Sequence, residues 1–273
     1  MALHKQWLGL VKKAAIEAGK ATLEYFGKQA GHSFKADQSP LTLADLESNR
    51  IIESYLQTTQ IPIISEESPL PDFQQRRNWA QVWLVDPLDG TREFIQNRGE
   101  YTVNIALVEH GAPVMGVVYV PVHDVLYYSV KGSGAFKIEK ASALVLEEAF
   151  QLAISLPCTK IVNKTIVVAS KSHLSSETSD FIRNLSVKPE EIEIQQYGSS
   201  LKLCKLAEGV AHIYPRMGNT MEWDIAAGHA ILEEAGCRLA TYPGYGKMHY
   251  NKESLLNTWF VAFNPSIEDF LPG

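Results

Sequence analysis

Apolar and polar positions in the first half of the chain follow two spacings, one helical and one typical of strands. Residues 3–26 carry apolar side chains every three or four positions, which predicts an amphipathic helix that ends at Gly27. Thr42 precedes a second predicted helix, whose apolar positions are Ile51, Ile52, Tyr55 and Leu56. Shorter apolar runs predict strands over residues 61–64, 82–85, 101–108, 114–120 and 125–130. Short turns separate the last three, which predicts an antiparallel meander.

The second half of the chain alternates between the two spacings. Strands are predicted over residues 165–170, 191–197 and 211–214, and helices over residues 177–185, 199–208 and 221–235. Such alternation indicates an α/β lobe, whereas the first half has an α+β pattern. A composition shift over 137–159 marks a candidate boundary. We therefore predict a layered α-β-α sandwich of two lobes, 1–140 and 141–273, that form one functional unit.

Composition and charge narrow the class of protein. The chain has 273 residues, 45% of them apolar, which is ordinary for a globular protein and excludes a disordered tail or a small disulfide scaffold. A net charge of −6 argues against a nucleic-acid polymer as partner. The three cysteines, Cys158, Cys204 and Cys237, lie far apart and indicate a reduced, cytoplasmic protein.

No targeting or membrane segment is evident in the sequence. Residues 1–20 lack the compact apolar core and the cleavage site of a secretory signal. No apolar stretch is long enough to span a bilayer, so we expect no integral membrane segment, and any attachment to the inner face of the cell membrane would be peripheral.

Carboxylates follow apolar segments at three places. Glu66 and Glu67 come after I-P-I-I-S, Asp86 and Asp89 lie in D-P-L-D-G-T after V-W-L-V, and Asp224 lies in E-W-D-I-A-A-G. Crowded carboxylates repel one another, and a hard divalent cation such as Mg²⁺ removes that penalty. An isolated D-P-L-D-G would be explained equally well as a turn, because Asp, Pro and Gly all favour turns.

Together, the three motifs resemble those of the lithium-sensitive, magnesium-dependent sugar-phosphatase superfamily. This superfamily includes inositol monophosphatases, fructose bisphosphatases and 3′(2′),5′-bisphosphate nucleotidases, and the order and spacing match along almost the whole chain. The resemblance implies an α-β-α-β-α sandwich, inhibition by lithium, and two or three Mg²⁺ ions held by Glu66, Asp86, the Leu88 carbonyl, Asp89 and Asp224. It further implies that Gly90 and Thr91 hold the phosphate through their backbone, with Asp224 also near the substrate.

Residues 37–45, D-Q-S-P-L-T-L-A-D, resemble the bisphosphate nucleotidases more specifically. By that resemblance Asp45 pairs with Thr91 to activate water, and Glu66 takes part in the same step. The alternative for Asp45 is a capping-box carboxylate in the first turn of its helix.

A second specific stretch is G-S-S-L-K-L-C-K-L-A-E-G-V-A-H-I-Y-P-R at 198–216. It resembles the nucleotidase branch, which implies that Lys202 and Arg216 meet a second phosphate and that His173 and Ser199 lie near the nucleotide. The alternatives are a solvated lysine and a structural arginine.

The resemblance implies a phosphatase that converts adenosine 3′,5′-bisphosphate to AMP and phosphate, linked to sulfate assimilation. The sulfated relative, 3′-phosphoadenylyl sulfate, is a second candidate substrate. Two other functions stay open, an inositol monophosphatase and a non-catalytic nucleotide or metal sensor on the same fold. A homodimer also stays open.

Overall fold

The computed structural model describes residues 2–28, 32–34, 40–143, 152–157, 164–170 and 175–272. Its helices are α1 (Ala2–Leu23), α2 (Leu43–Leu56), α3 (Phe73–Arg76), α4 (Thr91–Ile95), α5 (Ser176–Arg183), α6 (Leu201–Ala207) and α7 (Glu222–Glu234). The first nine strands are β1 (His32–Phe34), β2 (Pro40–Thr42), β3 (Ile63–Ser65), β4 (Gln81–Asp89), β5 (Thr102–Glu109), β6 (Ala112–Val120), β7 (Val125–Val130), β8 (Ala135–Glu139) and β9 (Ile154–Ser155). Five more follow, β10 (Thr165–Ser170), β11 (Ile192–Tyr197), β12 (Ile213–Arg216), β13 (Arg238–Thr241) and β14 (Phe260–Phe263).

The larger sheet contains the predicted meander. Its order is β3-β4-β5-β6-β7-β8-β9, with β3 parallel to β4 and the remaining neighbours antiparallel. Trp83 and Val85 of β4 pack towards α1 and α2, while Val82 and Leu84 pack on the opposite face. Both faces are therefore covered, which explains why V-W-L-V is a continuous apolar run rather than an alternating one.

The smaller sheet has the order β11-β10-β12-β14-β13. Strand β10 is parallel to both β11 and β12, whereas β14 is antiparallel to β12 and β13. Helices α6 and α7 lie between the two sheets, and α5 covers the outer face of the smaller one. The α-β-α-β-α layering is thus confirmed, but the second sheet has two strands, β13 and β14, that the sequence pattern did not predict.

Close packing of α7 on the larger sheet places its N-terminus at the site described below. Gly116 of β6 lies directly under the helix, and a Cβ built there would come within 2.2 Å of the Ala227 carbonyl oxygen. The cluster between the sheets joins residues from both halves of the chain, such as Val118 and Ile231. The division near residue 140 stays a prediction.

Across the described ranges, none of the helices combines the length and the apolar character that crossing a lipid bilayer requires.

Candidate active site

Three carboxylates from distant parts of the chain meet at one point. Glu66 directly follows β3, Asp86 lies on β4, and Asp224 lies in the first turn of α7. One oxygen of each lies within 4.8 Å of the others. Strand β3 runs parallel to β4 and pairs Ser65 with Val85, which brings the first two side chains to the same edge of the sheet. Glu67, the next residue in the chain, is not part of this group.

The electrostatics of this cluster favour a cation. Burial, and then the charges of Glu66, Asp89 and Asp224, raise the pKa of Asp86 well above its usual range. Burial, and then Asp89 and Glu66, do the same for the pKa of Asp224. A hard divalent cation takes oxygen ligands and removes the repulsion, so the donor set suits Mg²⁺.

Asp89 lies beside this group and lines two adjoining clefts. The first contains Glu66, Asp86 and Asp224, and the second contains Lys202 and Arg216. Its Oδ2 accepts hydrogen bonds from the Ser200 backbone N–H at 2.6 Å and from Asn104 Nδ2 at 3.4 Å. Burial raises the pKa of Asp89 to about 6, although nearby Lys202 and the Ser200 hydrogen bond oppose that rise. The side chain can therefore contribute to both clefts.

The D-P-L-D-G-T segment begins as the irregular end of β4, where the pairing with β5 shifts register between Asp86 and Asp89. It also lines the cleft at the carboxylate cluster. The Leu88 N–H donates to Asp86 Oδ1 at 3.1 Å. Gly90 has a φ of +94°, a left-handed conformation that a residue with a Cβ rarely adopts. Helix α4 begins immediately afterwards at Thr91. The motif is thus the end of a strand with a register shift, not the separate turn that its residue types favour, and its role as a set of metal ligands stays a prediction.

The two carboxylate oxygens of Asp45 accept hydrogen bonds from two different residues. Oδ2 accepts from the backbone N–H of Thr42 at 2.8 Å, which completes the capping box of α2. Oδ1 accepts from Thr91 Oγ1 at 3.3 Å. Both explanations of Asp45 considered from the sequence thus fit the structure, and the Asp45–Thr91 pair is formed.

Lys202 is not a solvated lysine. Only 5% of it is exposed, and it lines a cleft that also contains Asp89, Gly90 and Asp224. Its Nζ donates to the carbonyl oxygens of Ser199 at 2.6 Å and Tyr197 at 3.2 Å. Burial lowers the pKa of Lys202 to about 8, against the opposing effect of Asp89.

Arg216 lies at the end of β12 and lines the same cleft as Lys202. One of its terminal nitrogens donates to the Asn219 carbonyl at 3.0 Å, while its buried Nε has no hydrogen-bond partner among the described residues. Ser199 also lines this cleft, and its hydroxyl donates to the Glu100 carbonyl at 2.9 Å. His173 lies outside the described residues.

Polar residues that no sequence motif indicated join these parts. Asn104 is fully buried and accepts from Ser200 Oγ at 2.7 Å, and Thr102 Oγ1 lies 2.9 Å from the same hydroxyl. Asn104 could have been noticed as an isolated amide in the apolar run V-N-I-A-L. Tyr214 and Glu93 also line the second cleft.

Comparisons with known proteins agree with this geometry. The model described as the inositol monophosphatase family matches residues 4–266. A relative from Salmonella typhimurium, the 3′(2′),5′-bisphosphate nucleotidase CysQ, is 41% identical over 254 residues, with 92% of this chain and 96% of the relative covered. The protein of the same name from Escherichia coli K12 is 39% identical over 257 residues, with 93% and 98% covered.

Solved structures also resemble this one. CysQ from Bacteroides thetaiotaomicron, described as a bacterial member of the inositol monophosphatase family, superposes with a TM-score of 0.86 at 42% identity, covering 93% of this chain and 96% of that one. The extragenic suppressor protein suhB from Bartonella henselae, at 24% identity and a TM-score of 0.75, shows the same fold; the alignment covers 98% of this chain and 95% of that one.

Proposed function

The chain belongs to the inositol monophosphatase family, and we propose that it is a Mg²⁺-dependent 3′(2′),5′-bisphosphate nucleotidase. The reaction is hydrolysis of adenosine 3′,5′-bisphosphate, in which water cleaves the 3′-phosphomonoester and releases AMP and inorganic phosphate. 3′-Phosphoadenylyl sulfate, which carries the same 3′-phosphate, is a second substrate, and both connect the enzyme to sulfate assimilation.

The observation that carries this proposal is a cation-lined cleft directly beside the carboxylate cluster. Asp89, Gly90 and Asp224 line both the cluster's cleft and the neighbouring one, which also contains Lys202 and Arg216. A substrate with one phosphate at the carboxylates therefore has positive charge within reach of a second phosphate. A substrate with a single phosphate would make no use of these cations.

The two cations keep donors available for a ligand. An ammonium has three N–H donors, and the two backbone carbonyls that accept from Lys202 use two of them. The Nε of Arg216 is likewise without a partner among the described residues. Hydrogen bonds from these charged donors to phosphate oxygens are short and strong, and the planar guanidinium suits bidentate contact.

The residues that would hold Mg²⁺ are Glu66, Asp86, Asp89, Asp224 and the Leu88 carbonyl. The three clustered carboxylates fit a cation because burial and mutual repulsion disfavour their charged forms without one. When bound, Mg²⁺ supplies Lewis-acid polarisation of the phosphoryl oxygens and neutralises charge that develops on them.

Thr91 and Asp45 are placed to handle a proton. The hydroxyl of Thr91 donates towards Asp45 Oδ1, so its oxygen can accept a hydrogen bond from a water molecule in the cleft. As the water transfers its proton to Thr91 Oγ1, the proton of the Thr91 hydroxyl would pass to the Asp45 carboxylate. Glu66, on the other side of the turn, is a second acceptor for that proton. The backbone of Gly90 and Thr91 would contact the phosphate that is cleaved.

Phosphate release tests the proposal. Adenosine 3′,5′-bisphosphate and inositol 1-phosphate are offered at equal concentration, with Mg²⁺ and with a chelator. We expect Mg²⁺-dependent release with strong preference for the nucleotide. Preference for inositol 1-phosphate would overturn the substrate assignment but keep the metal chemistry, and no release from either would favour a sensor.

A homodimer stays a prediction, which light scattering of the purified chain would test.

A further inference from the structure

One buried face of α2 contacts both segments that carry Glu66 and Asp86. Ser48 and Asn49 lie three and four residues after Asp45, so both lie next to it on one side of the helix. All three are buried, which is unusual for polar side chains unless they have hydrogen-bond partners. Beyond the Asp45–Thr91 contact, the partners of Ser48 and Asn49 flank Asp86 and Glu66.

Ser48 fixes the irregular end of β4, which contains Asp86. Its hydroxyl donates to the Pro87 carbonyl oxygen at 2.7 Å. Pro87 follows Asp86 and precedes Leu88, whose carbonyl is one of the proposed metal ligands. The hydrogen bond therefore attaches the middle of the D-P-L-D segment to α2.

Asn49 fixes the segment that contains Glu66, through hydrogen bonds on both sides of it. Its Oδ1 accepts from Ser65 Oγ at 2.6 Å, and its Nδ2 donates to Ser68 Oγ at 3.0 Å. The Ser68 hydroxyl in turn donates to Glu53 Oε1 at 2.6 Å, one helical turn further along α2. The turn 65–68 is thus held at both ends by the same helix.

The two attachments oppose a specific force. Oxygens of Glu66 and Asp86 lie within 4.8 Å of each other, and two carboxylates at that distance repel. Glu66 lies in the turn after β3, and Asp86 lies on β4 immediately before its register shift, so repulsion could separate them. Helix α2 contacts both segments through buried side-chain hydrogen bonds.

We propose that Ser48 and Asn49 are positioning residues that hold Glu66 and Asp86 at the separation that Mg²⁺ requires. This inference rests on the proposed function, because it takes those two carboxylates as metal ligands. Outer hydrogen-bond partners of metal ligands contribute to metal affinity, typically by about 10- to 100-fold.

Calorimetric titration with Mg²⁺ tests the inference on the full chain. We expect Asn49→Ala to weaken Mg²⁺ binding about 10- to 100-fold and Ser48→Ala about 10-fold. The matched control is Ser54→Ala, on the same helix, because that exposed hydroxyl donates only to the Ile51 carbonyl of α2 itself. Its Mg²⁺ affinity should stay within about twofold of the unmodified protein.

A double variant separates positioning from general loss of stability. Ser65 donates the 2.6 Å hydrogen bond that Asn49 accepts, so Ser65→Ala removes the same contact from its donor side. The double variant Asn49→Ala, Ser65→Ala should therefore lose much less Mg²⁺ binding free energy than the two single variants lose in total. In kinetics, the KM for Mg²⁺ should rise more than kcat falls. If Asn49→Ala fails to fold, Ser65→Ala and Ser48→Ala provide the same comparison.

The outcomes distinguish this inference from the proposed function. Folded variants that bind Mg²⁺ like the unmodified protein would overturn the positioning role alone. An unmodified protein that binds no Mg²⁺ would overturn both. Weakened Mg²⁺ binding in the variants, with no hydrolysis of adenosine 3′,5′-bisphosphate by the unmodified protein, would support the positioning role and overturn the substrate assignment.

Discussion

Replacing Lys202 by methionine removes one of the cations that line the second cleft, beside Arg216, while keeping a side chain of similar length. The structure leaves one of the three ammonium donors for a ligand, since the Ser199 and Tyr197 carbonyls accept the other two. One hydrogen bond that involves a charged group contributes about 1.5–3 kcal/mol. At 1.4 kcal/mol per tenfold change, this corresponds to about 10- to 150-fold in kcat/KM for a substrate that uses the contact.

The variant also has effects that any substrate would experience. Lys202 lowers the pKa of Asp89, so its loss should make that carboxyl harder to ionise. The two backbone carbonyls also lose their donor, which reduces the free energy of unfolding. A ratio of two substrates cancels these shared effects, whereas the activity on one substrate does not.

The assay therefore compares adenosine 3′,5′-bisphosphate with adenosine 3′-monophosphate, which has the same scissile group but no 5′-phosphate. With saturating Mg²⁺, the ratio of the two kcat/KM values should fall about 10- to 150-fold in Lys202→Met. Lys205→Met is the control, because Lys205 lies on the same helix and pairs with Glu208. Equal losses on both substrates in Lys202→Met would refute the contact with the second phosphate and leave Lys202 as a support for the preceding turn.

Three further predictions concern the metal ligands and the packing beneath them. Asp89→Asn should reduce Mg²⁺-dependent turnover by more than about 100-fold, and unchanged turnover in a folded variant would remove Asp89 from the metal site. Burial raises the pKa of Asp89 to about 6 in the folded protein, whereas an unfolded chain has an aspartate pKa of about 4. Between about pH 4 and 6, this carboxyl therefore holds a proton more often in the metal-free folded protein than in the unfolded chain. Its contribution to stability is lost as the pH rises through that window. Bound Mg²⁺ competes with the same proton, so thermal unfolding at pH 5, 6 and 7 should show a stabilisation by Mg²⁺ that grows with pH; an equal stabilisation at all three would contradict this. Gly116→Ala places a Cβ 2.2 Å from the Ala227 carbonyl oxygen and should lower the free energy of unfolding, measured in urea, by about 1–3 kcal/mol. Gly9→Ala in α1 is the control: nothing lies within 4 Å of its Cβ, so it should raise the free energy of unfolding by about 0.8–1 kcal/mol. Similar losses of stability in both variants would contradict the close packing of Gly116 under α7.

Local sequence patterns determined the elements and the chemistry that their ends carry. The apolar run before Asp86 predicted a buried strand, and the D-P-L-D-G-T that follows predicted its end, because Pro87 and Gly90 restrict the backbone there. The strand continues to Asp89 with a register shift after Asp86, and α4 begins at Thr91. The three acidic motifs and their spacing were enough to indicate the family, which the comparisons confirm. Such patterns depend only on neighbouring residues in the chain, so they can be identified without knowing how the elements pack.

Two strands were not predicted from the sequence because their stability depends on tertiary partners. Strands β13 and β14 are short and lack a strong alternating pattern. Strand β14 forms hydrogen bonds with both β13 and β12. These strands are far apart in the sequence, and no sequence pattern indicates that they are neighbours in space.

Only the tertiary structure decided how the site is assembled. The hydrogen bond from the Ser200 backbone to Asp89 joins residues 111 positions apart, and Asn104 reinforces it from a third segment. No local pattern records such a contact, because the sequence specifies a side chain's chemistry but not which distant groups surround it. Burial of Lys202 and the attachment to α2 of the two segments that carry Glu66 and Asp86 have the same origin. They follow from the layered packing of helices on two sheets, which buries these polar groups beside one another.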